Sequence, residues 1–254
     1  MRSFLPGKSV VNYVVGHVGK AVVLRMDIED FYPTLSAARV TALLHTTGHP
    51  DTAATTLSNL ACHTTPAAVL AQPGTHLSFA SRKRLLQHHL PQGAPTSAAL
   101  SNLTLHRRDT RLAGLAQSLE AHYTRYADDL AFSGDASANK IAEGLIPQIT
   151  AIANSEGLCI NQRKTRLMRA NQRQYLGGQV INQRPNIRRL DYDKLKATLD
   201  NAVHHGPASQ CQNAALVHTK LQLQGKIAWV TIVHPERGAR LQHLYDQIPW
   251  PHQA

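Results

Sequence analysis

The chain has 254 residues, of which 43% are hydrophobic and 3 are cysteine, so it can bury a core and does not suit a disulfide scaffold or a cysteine zinc site. Lys and Arg number 27 against 16 Asp and Glu, a formal net charge of +11 that favours a polyanionic partner such as nucleic acid. No apolar run approaches the ~20 residues of a membrane helix. We therefore expect a cytoplasmic protein with no membrane partner.

The first strong element is the apolar run 22–28, which is rich in β-branched residues. It predicts a buried strand that ends in the carboxylate of Asp27. Pro33 then turns the chain, and Ser36 suits the N-cap of a helix that runs to about Leu44. An Asp at a strand end is, by itself, most often part of a solvated turn.

The segment 90–97 is typical of a rigid turn that opens a helix. Gly93 allows close approach to the backbone, and Pro95 fixes φ. The free N–H groups at such a helix start suit phosphates, although the same residues also suit a plain loop. We expect one helix to follow, from Ala98 to about Leu119.

Residues 122–133 predict a β-hairpin with the adjacent carboxylates of Asp128 and Asp129 at its tip. Apolar residues flank this acidic pair, a costly placement unless cations or donors satisfy the charges. Two-metal phosphoryl transfer needs carboxylates that converge on two cations about 3.5–4 Å apart. Asp27 and the hairpin tip would supply them if the strands are neighbours in one sheet.

The rest of the chain predicts one amphipathic helix, two strands and a small helical domain. The helix spans 139–155 and ends at Gly157, and the strands cover 158–160 and 175–181. Three further helices are expected over 191–204, 208–224 and 235–247.

Five segments occur in one order along the chain. They are Met26–Pro33, Leu90–Ser97, Arg125–Asp129, Gly157–Asn161 with Lys164–Arg166, and Tyr175–Gly178. This order and spacing resembles the palm of bacterial reverse transcriptases, especially the retron type, from about Phe4 to Trp250. The resemblance implies an α+β fold, with a right-hand polymerase palm (an antiparallel sheet with packed helices) and a small helical thumb. Residues 1–20 would be a remnant of the fingers, 21–185 the palm with part of the fingers, and 186–254 the thumb.

The same resemblance implies a catalytic set. Asp27, Asp128 and Asp129 would hold two Mg²⁺ ions, for which Mn²⁺ can substitute, and the Ile28 carbonyl would be an extra ligand. Lys164 would donate a proton to the leaving pyrophosphate.

It also implies residues that bind nucleotide, template and primer. The nucleotide-binding residues would be Tyr32 beneath the sugar, Gln92 and Gly93. The residues that contact template or primer would be Ala94, Pro95, Thr96, Tyr126, Tyr175, Leu176, Gly177 and Gly178, the last four forming the primer grip.

The implied function is that of an RNA-directed DNA polymerase. Its partners would be an RNA template, the RNA–DNA hybrid and deoxynucleoside triphosphates. The retron resemblance adds a structured non-coding RNA, an effector protein and a role in antiphage defence. Two other hypotheses stay open: a catalytically impaired palm and thumb that binds structured RNA or RNA–DNA, and a two-metal nuclease. The nuclease is the weaker one, because no cluster of His or further carboxylate residues near Asp128 and Asp129 suggests a water-activating base.

The sequence departs from the family pattern in two ways. Relatives carry a basic fingers segment before the Asp27 strand, where this chain has only 4–20. A start further upstream, which we favour, fingers supplied by another chain, and impaired catalysis would each account for this. The retron marks are also incomplete: Tyr13 and Val14 occupy the first places of an Asn-Ala-x-x-His element that His17 completes, and 176–178 replaces Val-Thr-Gly.

Overall fold

The computed structural model describes residues 7–72, 77–135, 138–211 and 216–251. The chain divides into two compact units, Met1–Gln172 and Arg173–Ala254. The second unit thus takes in the Tyr175–Val180 hairpin as well as the C-terminal helices. The assignment of these units to palm and thumb stays a prediction. Over the described ranges, no helix is long and apolar enough to cross a membrane.

The first unit is built on a four-stranded antiparallel sheet with the strand order β2-β3-β1-β4. The strands are β1 (Val22–Asp27), β2 (His122–Tyr126), β3 (Asp129–Gly134) and β4 (Arg166–Arg169). The predicted Asp27 strand and the predicted hairpin are therefore confirmed as neighbours. Strand β4 was not foreseen, because its four residues show no buried alternation.

Helices pack against this sheet. The helices described in this unit are α1 (Val10–Val14), α2 (Ala37–Thr46), α3 (Asp51–Ala61), α4 (Ala67–Leu70), α5 (Phe79–Leu85), α6 (Pro95–Thr104), α7 (His106–Ser118) and α8 (Ala138–Ser155), with a 3₁₀ turn at Val15–His17. Helices α2, α7 and α8 form one apolar core with the strands, which includes Leu24, Leu112, Phe132 and Ile149, all nearly inaccessible to solvent. Burial of each such side chain contributes about 1.5–3 kcal/mol. The α+β class with an antiparallel sheet and packed helices is thus confirmed.

Two predictions of local structure in this unit are wrong. The single helix expected from Ala98 to Leu119 is two helices that meet at Leu105, a buried residue whose backbone leaves the helical region (φ −95°, ψ 5°). The first of them begins at Pro95, because a missing N–H costs nothing at a first helical position. The strand expected at 158–160 is a single bridge from Ile28 to Ile160, since the chain turns again at 162–164.

The second unit contains a short hairpin and three helices. The elements are β5 (Tyr175–Leu176), β6 (Gln179–Val180), α9 (Arg189–His205), α10 (Leu216–Val233) and α11 (Pro235–Asp246), with a 3₁₀ turn at Pro207–Gln210. They bury a separate core around Leu199, Ile227 and Leu241. The strand predicted over 175–181 is instead interrupted, because Gly177 and Gly178 both take positive φ and reverse the chain. The helix expected from Ala208 is described from Leu216, and Ala208 itself lies in the 3₁₀ turn.

Candidate active site

The three predicted carboxylates lie at one end of the sheet. Asp27 is the last residue of β1 and pairs across the sheet with Asp129, the first residue of β3. Between Tyr126 and Asp129 the chain makes a two-residue turn of Ala127 and Asp128. The Ile28 N–H donates to the Asp128 carbonyl at 3.0 Å, so the turn is tied to the end of β1. The hairpin and the strand therefore bring the three acidic residues together.

A cleft of about 440 Å³ opens at this end of the sheet. Six of the predicted site residues line it: Asp27, Ile28, Tyr32, Gln92, Asp128 and Lys164. Asn161 also lines the cleft, and its N–H donates to the Asp27 carbonyl at 2.8 Å. Residues from four separate segments of the chain thus form one concave site.

Lys164 and Asp27 form an ion pair within the cleft. The Nζ atom lies 3.1 and 3.3 Å from the two carboxylate oxygens of Asp27, whose side chain is almost completely buried. The hydrogen bond with Asp27, followed by the charges of the three Asp residues, raises the pKa of Lys164. Burial is the main cause that raises the pKa of Asp128, and the charges of Asp129 and Asp27 add to it. The cleft is therefore a place where further positive charge is favourable.

Asp129 is engaged by Arg25 and does not line the cleft. Arg25 Nη2 lies 2.7 and 2.9 Å from the two Asp129 carboxylate oxygens, and Nε lies 2.9 Å from the first. Burial nevertheless raises the pKa of Asp129, because it outweighs the lowering effect of Arg25. Arg25 was missed as a site residue. Strand alternation was the available signal, because it places Arg25 on the same face as Asp27 two residues later.

The donors available in the cleft suit a hard cation. Asp27 and Asp128 offer carboxylate oxygens, and Mg²⁺ prefers oxygen ligands. With Asp129 bound to Arg25, no three Asp, Glu, His or Cys side chains among the described residues are grouped to hold a metal ion. The raised pKa of Asp128 is the observation that fits a cation site, since a partly buried carboxylate near two others is stabilised by positive charge.

A second ion pair at the edge of the cleft was also missed. Arg84 Nη1 lies 2.8 Å from Asp30 Oδ2, and Arg84 Nη2 lies 3.1 Å from Cys159 Sγ. Asp30 has φ +48°, an uncommon conformation for a residue other than glycine. This contact holds α5 next to the cleft. Leu85, the residue after Arg84, is one of the residues that line the cleft.

The turn before α6 carries most of the residues predicted to contact nucleotide and template. Gly93 has φ +92°, Ala94 is the N-cap of α6, and Pro95 and Thr96 lie in its first turn. Gln92 reaches the cleft. Tyr126 ends β2, where its ring lies 5.7 Å from that of Tyr13. Contact of these residues with template or nucleotide stays a prediction.

The predicted primer grip lies within the second unit. Tyr175 and Leu176 form β5, and Gly177 and Gly178 form the turn that follows. Leu176 is completely buried, so neither its side chain nor its backbone is exposed in this structure. The guanidinium of Arg188 covers the Tyr175 ring at 5.4 Å. Primer contact by this hairpin stays a prediction.

Comparison with known proteins adds evidence beyond this geometry. A family model described as reverse transcriptase (RNA-dependent DNA polymerase) matches residues 1–180. The retron Mx65 reverse transcriptase of Myxococcus xanthus is 35% identical over 243 residues, which are 94% of this chain and 52% of that protein. The retron Ec86 reverse transcriptase of Escherichia coli is 31% identical over 199 residues, 78% of this chain and 53% of that protein. The chain thus spans about half the length of these relatives.

Among solved structures, a telomerase from Candida albicans in complex with a fragment of telomeric RNA aligns with a TM-score of 0.39 at 12% identity. The alignment covers 90% of this chain and 41% of the telomerase chain. That similarity is too weak to define the fold, which rests on the strands and helices described above.

Proposed function

Because the chain belongs to the reverse transcriptase family, we propose that this protein is an RNA-directed DNA polymerase that extends a primer on an RNA template. The observation that carries the proposal is the cleft in which the carboxylates of Asp27 and Asp128 meet the ammonium group of Lys164, beside Tyr32 and Gln92. The net charge of +11 supports a polyanionic substrate, namely the RNA template and the RNA–DNA hybrid.

Asp27, Asp128 and the Ile28 carbonyl are the groups that would hold the two Mg²⁺ or Mn²⁺ ions of this family. When bound, such ions lower the pKa of the attacking hydroxyl and neutralise charge on the reacting phosphate. Asp129 would join this ligand set by exchanging the Arg25 guanidinium for a cation. Lys164 now neutralises Asp27, and we expect it to be released from that carboxylate when a cation takes its place.

The chemical step is the transfer of a nucleotide to the primer. The primer 3′-hydroxyl loses its proton to water, its oxygen attacks the α-phosphorus of a deoxynucleoside triphosphate, and the bond from that phosphorus to the pyrophosphate oxygen breaks. Lys164 Nζ donates its proton to the leaving pyrophosphate. Tyr32 lies beneath the sugar and excludes a 2′-hydroxyl, while Gln92 and the backbone at Gly93 contact the incoming nucleotide.

The remaining predicted residues would bind the nucleic acid. Ala94, Pro95 and Thr96 would follow the template from the start of α6, with Tyr126 at the hairpin tip. In the second unit, the hairpin 175–178 would grip the primer. The helices α9, α10 and α11 would form the thumb, which holds the hybrid by its backbone and groove shape.

Primer extension tests this proposal directly. The purified chain, a primed RNA template, Mg²⁺ and deoxynucleotides should give extension that Asp128→Ala reduces by roughly 100-fold or more, because a metal ligand supplies several kcal/mol of transition-state stabilisation. Asp135→Ala is the matched control, since this carboxylate directly follows β3 at its other end and its side chain is 74% exposed. Equal extension by Asp128→Ala and the wild type would refute the site. Absence of extension by the wild type, with RNA binding retained, would instead favour a catalytically impaired palm and thumb that binds structured RNA or RNA–DNA.

The relatives named as retron reverse transcriptases support a narrower proposal. The template would be a structured non-coding RNA encoded near this gene, and an effector protein would act with the product in antiphage defence. Sequencing of co-purified nucleic acid should find DNA joined to that RNA in the wild type and RNA alone in Asp128→Ala. Plaque counts on cells that carry the locus should rise for the same variant. Identical nucleic acid or identical plaque counts for the two proteins would contradict the corresponding part of this proposal.

A further inference from the structure

A buried guanidinium lies directly behind the hairpin tip. Arg125, the second-last residue of β2, has a completely buried side chain. Its Nε lies 2.9 and 3.0 Å from the two Asp109 carboxylate oxygens, and its Nη2 lies 2.7 Å from one of them. Nη2 also donates to Asn102 Oδ1 at 3.1 Å, and Nη1 donates to the Ala127 carbonyl at 3.0 Å. All three nitrogens of Arg125 are therefore committed, one of them to the turn that carries the Asp128 carboxylate.

Asp109 is the centre of this network. Besides Arg125 it accepts a hydrogen bond from the Tyr123 hydroxyl at 2.8 Å and one from Arg108 Nη2 at 3.2 Å. Burial opposes its ionisation, but the hydrogen bonds and charge of Arg125 outweigh that effect, so the pKa of Asp109 is lowered. One ionised carboxylate thus faces two buried guanidiniums, those of Arg108 and Arg125.

Stability alone does not account for such a network. Removal of these three charges from water costs several kcal/mol for each ion, and apolar residues of similar volume are often equally stabilising or better. The ion pairs fix an orientation. Because Asp109 and Asn102 bind the Arg125 guanidinium on one side, its remaining N–H groups point to a fixed place. That place is the Ala127 carbonyl.

The turn of Ala127 and Asp128 requires contacts that fix its backbone conformation. Ala127 has φ +52°, which a residue with a β-carbon adopts only at a cost and keeps only where its surroundings fix it. The Ala127 carbonyl belongs to the peptide before Asp128, and the Asp128 carbonyl belongs to the peptide after it. Arg125 binds the first and the Ile28 N–H binds the second. Both peptides that flank the cleft carboxylate are therefore fixed by hydrogen bonds.

We infer that Asp109 and Asn102, acting through Arg125, are positioning residues for the Asp128 carboxylate. They lie on α7 and α6, so the helix pair that begins at the Gln92–Gly93 turn also sets the orientation of the hairpin tip. The consequence for polymerisation rests on the proposed function. The consequence for cation binding at Asp27 and Asp128 does not require polymerisation.

The test uses the full chain with Asn102→Ala and Arg125→Lys. Each variant should bind Mn²⁺, measured by electron paramagnetic resonance without nucleic acid, about 10-fold more weakly than the wild type, the usual effect of losing a partner that orients a metal ligand. In primer extension, the Mg²⁺ concentration that gives half-maximal activity should rise by a similar factor, and kcat should fall. The KM for primed template should stay unchanged. Tyr123→Phe, which removes one hydrogen bond to Asp109, should give a smaller shift in the same direction.

Ser133→Ala is the control for a purely structural effect. It removes a buried hydrogen bond at 2.7 Å between Ser133 Oγ and His17 Nδ1, near the other end of β3. It should lower the melting temperature and leave the Mn²⁺ affinity unchanged. Arg125→Lys leaves Asp109 and Arg108 in a rearranged buried cluster, so if it fails to fold, Asn102→Ala and Tyr123→Phe decide the question.

Wild-type Mn²⁺ affinity in Asn102→Ala and Tyr123→Phe would overturn the inference, as would an equal loss of affinity in Ser133→Ala. A wild type that binds Mn²⁺ but extends no primer would refute the polymerase proposal. In that case the Mn²⁺ affinities of the variants still test the positioning role.

Discussion

His17 makes the stability of the first unit depend on pH below neutrality. Its ring is completely buried, with Nδ1 2.7 Å from Ser133 Oγ and Nε2 2.6 Å from Thr124 Oγ1, so it joins the residues before β1 to both strands of the hairpin. Burial, and secondly the neighbouring His122, lowers the pKa of His17 to about 3. The ring therefore stays neutral in the folded protein at every pH near physiological.

The size of the effect follows from linkage. A histidine in the unfolded chain binds a proton with a pKa of about 6.5. Between this value and about 3 the unfolded state binds more protons than the folded state, so stability falls as the pH is lowered through this window and is fully present above it. At pH 5 the loss is about 2 kcal/mol, because each pKa unit corresponds to about 1.4 kcal/mol. For a chain of this size that is a fall of about 4–8 °C in melting temperature.

Calorimetry on the wild type and His17→Gln at pH 7 and pH 5 measures this loss. Glutamine can donate and accept hydrogen bonds but does not titrate. The difference in free energy of unfolding between the wild type and His17→Gln should therefore move by about 2 kcal/mol in favour of His17→Gln when the pH falls from 7 to 5. The raised pKa values of Asp128 and Asp129 have the opposite effect in both proteins and cancel in the difference. His106→Gln, at an exposed position, should follow the wild type. Equal changes in the free energy of unfolding of the wild type and His17→Gln between pH 7 and pH 5 would refute the reasoning.

Two further predictions concern substrate. Tyr32→Ala should admit ribonucleotides during primer extension, whereas Tyr32→Phe, which keeps the ring, should exclude them as the wild type does. Unchanged discrimination between ribose and deoxyribose in Tyr32→Ala would show that Tyr32 does not exclude the 2′-hydroxyl. If about four phosphates are neutralised, the affinity for primed RNA template should weaken by about 100-fold between 50 and 200 mM salt. A salt-independent affinity in filter binding would contradict an electrostatic groove.

Much of the candidate site was predictable from short segments. The run ending in Asp27 and the acidic pair at 128–129 are local patterns, and strand alternation and hairpin formation act over a few residues. The ordered motifs then implied that Tyr32, Gln92 and Lys164 share one site with them, and all three line the same cleft as Asp27 and Asp128. These parts were accessible because each depends on neighbours along the chain or on a known order of motifs.

The sequence by itself therefore determined which carboxylates lie at a strand end and a hairpin tip. Only the tertiary structure decided what holds them there. Arg25 meets Asp129 across 104 residues of sequence, and Arg84 meets Asp30 across 54. Arg125 meets Asp109 through the packing of α7 against β2. No local pattern selects one partner for a carboxylate among 27 basic residues, because that choice depends on how remote segments pack.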